Sequence, residues 1–252
     1  MGKLIKYELK KQMSSKIIVG VLAIICQLAM IVGLIINEPD WFAIGFIGMM
    51  ILAFTALFYF SFETIVTYSN DLKTKQSYML FLVPRNMYQV VGAKMITTIL
   101  QIFLAGIAFM AILIGDLFLI SAIDGEIEEF IELMKTILEV LVGTNIDISM
   151  VVYVICSILV VWIEFILMAM LAITLSATLF ANKSYKGVIS FGIYIGLEFV
   201  LGKIADWVTN GVMLGETLEI NVMAWIYIGI YAVAMVICFL ATTWILDKKI
   251  SV

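Results

Sequence analysis

Three carboxylates, Asp116, Glu164 and Glu198, stand inside long apolar runs where almost nothing else is charged. An ionised side chain at the centre of a bilayer costs at least about 2.5 to 3.5 kcal/mol on insertion scales, so a residue of this kind pairs, protonates or meets water. Two kinds of chemistry are open to Glu164 and Glu198. Either they line a polar pathway, or they stand protonated and hydrogen-bonded to a neighbouring helix. Asp116 lies four residues before the end of its run and is expected to reach water there.

Other chemistries find little support. The chain has no His, and its three Cys (Cys26, Cys156, Cys238) lie far apart within apolar runs. This argues against zinc sites, Ser-His-Asp triads, haem attachment and disulfide frameworks. No H-E-x-x-H, nucleophile-elbow or paired-Asp motif supports an intramembrane enzyme, and no G-x-x-x-x-G-K-[ST] phosphate loop occurs.

The elements that must hold these residues follow from composition. Of 252 residues, 64% are hydrophobic and 13% charged, against about 45 to 50% and about 25% in soluble domains. A chain this size has more apolar surface than its interior can hide, so a bilayer must supply the rest. The net charge of -4 argues against a nucleic-acid partner. Six segments meet or approach the roughly 20 residues that a spanning helix needs. They are Ile17 to Ile36, Trp41 to Phe62, Met95 to Ile120, Met150 to Phe180, Gly187 to Trp207 and Val222 to Leu246. As a helix the fourth extends roughly 46 Å, beyond a hydrocarbon core of about 30 Å, and must tilt, kink or protrude.

With the N-terminus inside, 13 of the 15 basic residues fall on the inner side, and only Lys135 and Lys203 fall outside. The positive-inside rule then places both termini in the cytoplasm. Acidic residues lean outward, which describes the outer surface without bearing on orientation. The basic residues before the first run resemble a signal peptide, but the run is too long and no small-residue cleavage site follows, so it is expected to be a retained span. Ahead of it, Ile5, Leu9 and Met13 recur every four residues with lysines on other faces, the pattern of a short helix lying in the inner headgroup layer.

Between spans two and three, residues 63–94 form the longest cytoplasmic segment. Pro84 biases Val83 away from helix, which predicts two short helices meeting at a bend. The run Asp71-Leu72, Ser77-Tyr78, Pro84 and then Lys94 resembles the cytoplasmic loop of the membrane subunits (permeases) of type-2 ABC exporters, especially a subgroup common in Firmicutes. The basic N-terminal helix and six-span layout resemble the same family. The sequence departs from the family pattern at Ser77, where Gly often stands, and at Arg85-Asn86, where Ser or Thr often follows the Pro.

The resemblance implies a single all-α permease domain, 1–252, in the bacterial cytoplasmic membrane. Such a subunit pairs with a second permease subunit, alike or unlike, and is driven by separate ABC ATPase subunits. ATP and Mg would be bound by those subunits and no cofactor by this chain, which is then not itself an enzyme. It also makes residues 71–88 the coupling segment, with Asp71, Lys73, Lys75, Tyr78, Phe81, Pro84 and Arg85 as the ATPase-coupling residues. Aromatics and Arg are favoured interface anchors, although Tyr78 and Phe81 would serve equally to seat the loop on lipid.

In the outer stretch 121–149, Ile127, Phe130, Ile131, Met134, Ile137, Leu138 and Leu141 recur at steps of three and four among glutamates, predicting an amphipathic helix with Asp124 as its cap. Its acidic face suits neither anionic headgroups nor calcium, since an EF-hand loop needs Gly where Glu129 stands. No metal site is expected. Span five carries Gly192 and Gly196, a G-x-x-x-G pair that allows close helix approach. The family resemblance makes them candidates for the dimer seam, and packing within one subunit is the alternative. After Leu201 the chain turns polar and glycine-rich, and the resemblance implies an outer re-entrant hairpin there. Trp207, Trp225 and Trp244 are expected at the membrane interfaces.

The exporter reading expects an amphipathic or hydrophobic substrate. Its alternative is an ion-coupled secondary carrier with Glu164 and Glu198 as relay, for which inverted repeats would speak and none is visible.

Overall fold

The computed structural model describes residues 1–73, 86–142, 148–180, 185–213 and 220–249, and among these all regular structure is helical. The helices are α1 (Gly2–Lys11), α2 (Met13–Ile36), α3 (Pro39–Lys73), α4 (Met87–Asp124), α5 (Ile127–Val142), α6 (Ile148–Leu179), α7 (Lys186–Met213) and α8 (Ile220–Lys249). Six of them, α2, α3, α4, α6, α7 and α8, are long and apolar enough to cross a membrane. Large apolar side chains lie exposed along all six, as a lipid-facing surface requires.

The chain divides into two compact units, residues 1–63 with 96–146 and residues 64–95 with 147–252. In the first, α2 turns into α3 through Asn37, which takes the left-handed conformation (φ 56°), and Pro39 opens α3. Both are preferred choices at those positions. The two helices touch backbone to backbone. A Cβ on Gly33 would stand 2.2 Å from the Phe42 amide nitrogen, and one on Gly45 would stand 2.3 Å from that of Met30. A second corner, between α4 and α5, turns at Gly125 (φ +79°) and is packed by Phe118 against Phe130, ring centroids 5.6 Å apart.

In the second unit α6 is central. It is buried almost without a break from Glu164 to Ser176, and it packs most extensively on α8, then on α7. A helix apolar on all sides belongs in a core. Around it gather Tyr68 of α3, Met87, Val91 and Met95 of α4, Leu201 of α7 and Cys238 of α8. Thr174, Thr209 and Thr242 are buried here, and each donates its hydroxyl to the carbonyl four residues back. Their polar atoms are thereby satisfied within their own helices.

Several expectations change. The helices run beyond the apolar runs: α3 continues past Phe62 to Lys73, and α4 starts at Met87, ahead of Met95. Helical hydrogen bonding needs no apolar surroundings, and no Pro interrupts 63–73 or 87–94. Those stretches are extensions of the spans, not separate short helices, while the bend at Pro84 lies outside the described residues. Asp124 does not cap the outer helix, because it is the last residue of α4 and α5 begins at Ile127. The described part of the hairpin region, 202–213, continues α7 unbroken. Gly costs a helix only about 1 kcal/mol, and Leu201, Ala205 and Thr209 hold this stretch as a buried stripe at every fourth residue.

Candidate functional site

The two stems that flank residues 74–85 are clasped by a buried ion pair. Lys94 of α4 donates to Asp71 Oδ2 of α3 at 2.6 Å, and the two residues are 2% and 6% exposed. The placement follows from helical spacing. Tyr68 and Asp71 lie three apart on one face of α3, and Met87, Val91 and Lys94 share one face of α4. One turn before Asp71, Tyr68 donates to the Thr174 hydroxyl on α6 at 2.6 Å, since Thr174 spends its own hydrogen on Met170. The stems are thus fastened to each other and to the central helix of their unit.

This alters the part Asp71 can play. It is turned inward, with its carboxylate closed on Lys94 instead of facing solvent. Lys75, Tyr78, Phe81, Pro84 and Arg85 lie outside the described residues. Lys73 ends α3, with its side chain likewise outside. Tyr88, one residue into α4, is exposed and packs edge-on against Phe239 of α8, centroids 6.3 Å apart.

Glu164 sits at the head of the buried stretch of α6, 1% exposed, and its Oε1 has no hydrogen-bond partner among the described residues. Glu198 and Tyr194 of α7, with Tyr231 and Cys238 of α8, lie within electrostatic reach of it. Glu198, Tyr194 and Tyr231 are half-buried. Two carboxylates, two phenols and a thiol from three helices therefore share one neighbourhood. Chemically, it can hold a proton or a donor-bearing group. Gly192 and Gly196, also on α7, are exposed, and a Cβ on either meets no other atom within 4 Å. Among the described residues, no helix packs closely on that face.

In the first unit, Asp116 does not reach water. It is 2% exposed and accepts a hydrogen bond from Gln27 Nε2 of α2. Because α4 runs eight residues past it, Asp116 is deeper in its helix than the apolar run suggested. In the N-terminal helix the apolar stripe is not the face turned into the protein. Ile5 and Leu9 are only half-buried and Met13 is exposed, whereas Glu8 and Gln12 are turned inward. Gln12 accepts from Gln101 of α4 at 2.8 Å, and Ser15 donates to Glu63 of α3. The inward stripe Glu8, Gln12, Ser15 at steps of four and three was a signal in the sequence, obscured by the apolar stripe beside it. The lone amides Gln27 and Gln101 were another, since an amide in a span seeks a partner. Both amides meet a residue 89 positions away, so α2 and α4 run parallel in one register.

On the amphipathic helix α5, Phe130 and Met134 are half-buried while Ile127 and Ile131 remain exposed. Among the described residues no group of three or more Cys, Asp and Glu is placed to hold a metal ion. Comparison of the chain with protein-family models, with curated proteins and with solved structures gives no match.

Proposed function

We propose that the chain is the membrane-spanning permease subunit of an ATP-driven ABC exporter, and that separate ATPase subunits dock on the segment between α3 and α4. The observation that carries this reading is the buried Asp71–Lys94 clasp. A docking loop serves as a handle only if its two stems move together. The clasp joins them, and the Tyr68–Thr174 bond and the surrounding apolar core tie them to α6, the helix that carries Glu164. Force applied to the loop in the cytoplasm would then reach the polar neighbourhood of Glu164 and Glu198 through side chains in contact. The substrate class is amphipathic or hydrophobic. A second permease subunit would meet the open face of α7 at Gly192 and Gly196.

Affinity capture on the full-length chain from native membranes tests this. The wild type should retain an ABC-class ATPase. Arg85→Glu, or deletion of residues 73–88, should lose it while membrane insertion persists. Undiminished capture by both variants overturns the docking assignment.

One observation favours a second reading, an ion-coupled carrier: Glu164 is buried with an unfilled acceptor, the condition of a proton- or cation-binding site. Reconstituted vesicles with an ion gradient and no ATPase separate the two. Substrate movement there supports the carrier, and movement only with ATP and the ATPase supports the exporter.

A further inference from the structure

The first unit contains a groove of about 330 Å³ that neither reading uses. It lies along α2 and α4, where Gly20, Ala23, Ala105 and Ala108 leave the space and Leu104 and Phe109 help wall it. The Gln12–Gln101 and Gln27–Asp116 bonds fasten the same two helices on either side of this gap, about 22 Å apart along α2. The volume falls within the roughly 300 to 1,000 Å³ of ligand pockets. Its walls are apolar except at one end, where Lys16 and Gln101 face it.

That polar end is incomplete. Gln101 is 3% exposed and uses its Nε2 on Gln12, while its Oε1 has no hydrogen-bond partner among the described residues. Lys16 Nζ gives one hydrogen to the Gln12 carbonyl at 2.9 Å and lies 5.4 Å from the centre of the Phe60 ring. An ammonium has three hydrogens to give. Glu63, within electrostatic reach of Lys16, accepts from Ser15 on one oxygen and is unpartnered and buried at the other. One positive and one negative side chain are thus accompanied by two acceptors that need donors.

We infer that the groove binds one acyl chain of a bilayer phospholipid whose head carries a primary ammonium beside its phosphate. The phosphate accepts from Lys16, and the ammonium donates to Gln101 Oε1, with the Glu63 carboxylate supplying negative charge behind the lining. The choline head has no N–H to give, and a glycerol head would bring an uncompensated negative charge toward Glu63. A bilayer lipid is the source because Ile17, Ile18 and Leu104, beside the groove, are exposed apolar residues of membrane-spanning helices. The inference stands apart from the exporter reading and from its docking loop.

The test is lipid retention by the full-length chain, reconstituted with equal amounts of phosphatidylethanolamine, phosphatidylcholine and phosphatidylglycerol, extracted in mild detergent and examined by native mass spectrometry. The wild type should keep one phosphatidylethanolamine, preferred about ten-fold over either other lipid, equivalent to about 1.4 kcal/mol. Ala105→Trp, which fills the groove, should lose it. Gln101→Leu, which leaves the groove open, should keep a lipid but lose the preference. Equal retention of all three lipids by the wild type overturns the headgroup assignment. Unchanged retention by a folded Ala105→Trp, or an unchanged preference in Gln101→Leu, overturns the site.

Discussion

Asp71 and Glu164 are buried carboxylates of the same unit, 6% and 1% exposed, yet their surroundings differ in kind. Asp71 closes on an ammonium at 2.6 Å, while Glu164 has an oxygen with no partner among the described residues. The first joins the ends of two helices, and its charge is cancelled on the spot. The second stands where α6 meets α7 and α8, among groups that can donate or accept but do not complete it. Asp116 in the other unit is intermediate, held by one neutral amide. The three buried carboxylates thus differ by partner: a cation at Asp71, an amide at Asp116, and at Glu164 an oxygen with none among the described residues.

Breaking the ion pair should have the largest effect. Removing one partner of a buried pair leaves an uncompensated charge and typically costs about 3–5 kcal/mol. Lys94→Met is therefore expected to destabilise the chain by about that amount in denaturant unfolding in lipid-detergent micelles. The double variant Asp71→Leu/Lys94→Met should recover most of the loss, because replacing both members of a pair by apolar residues is often neutral or stabilising. On the exporter proposal, a double variant that regains stability but no longer retains the proposed ATPase would show that the clasp transmits force through its charges. If it keeps coupling, mechanical packing of the stems suffices.

Asp116 comes next. Asp116→Leu strands the Gln27 amide, and an unsatisfied buried polar group costs about 1–3 kcal/mol. The same unfolding assay should show that loss, and Gln27→Leu/Asp116→Leu should relieve it. A loss as large as that of Lys94→Met would place Asp116 with the ion pair and erase the distinction.

What could be read beforehand divides along the same line. The six long apolar helices were legible because a stretch of some 20 apolar residues is its own signal. The N-terminal and outer helices were legible from their periodicity. The polar partners were not, because a lone Gln or Asp in a span does not say which residue it meets across the bundle. Gln27 and Asp116 are 89 positions apart, and only the shared offset with Gln12 and Gln101 reveals the register. Asp71 was legible as important but assigned to the surface, since a charged residue in a polar loop looks exposed until helix α3 is seen to carry it inward. The helix ends were misjudged because apolar runs mark the hydrocarbon boundary, whereas helices stop where capping and turn residues stop them, as at Asn37 and Gly125.

The smallest effect on stability is expected at Glu164, and it has the opposite sign. A buried acceptor without a partner contributes nothing to folding and carries its desolvation cost, so Glu164→Met should leave stability unchanged or raise it by about 1 kcal/mol. The same substitution removes the one carboxylate of α6, a group able to bind a proton or a donor-bearing substrate group within the buried stretch. On either proposed transport function, movement of substrate by reconstituted vesicles should therefore fall even as the protein becomes harder to unfold, whereas Asp116→Asn should leave it nearly intact. That opposition between stability and activity is the mark of a site kept open at the expense of the fold. Should Glu164→Met instead destabilise the chain as severely as Lys94→Met, the oxygen has a structural partner after all, and Glu164 joins Asp71 as part of the scaffold.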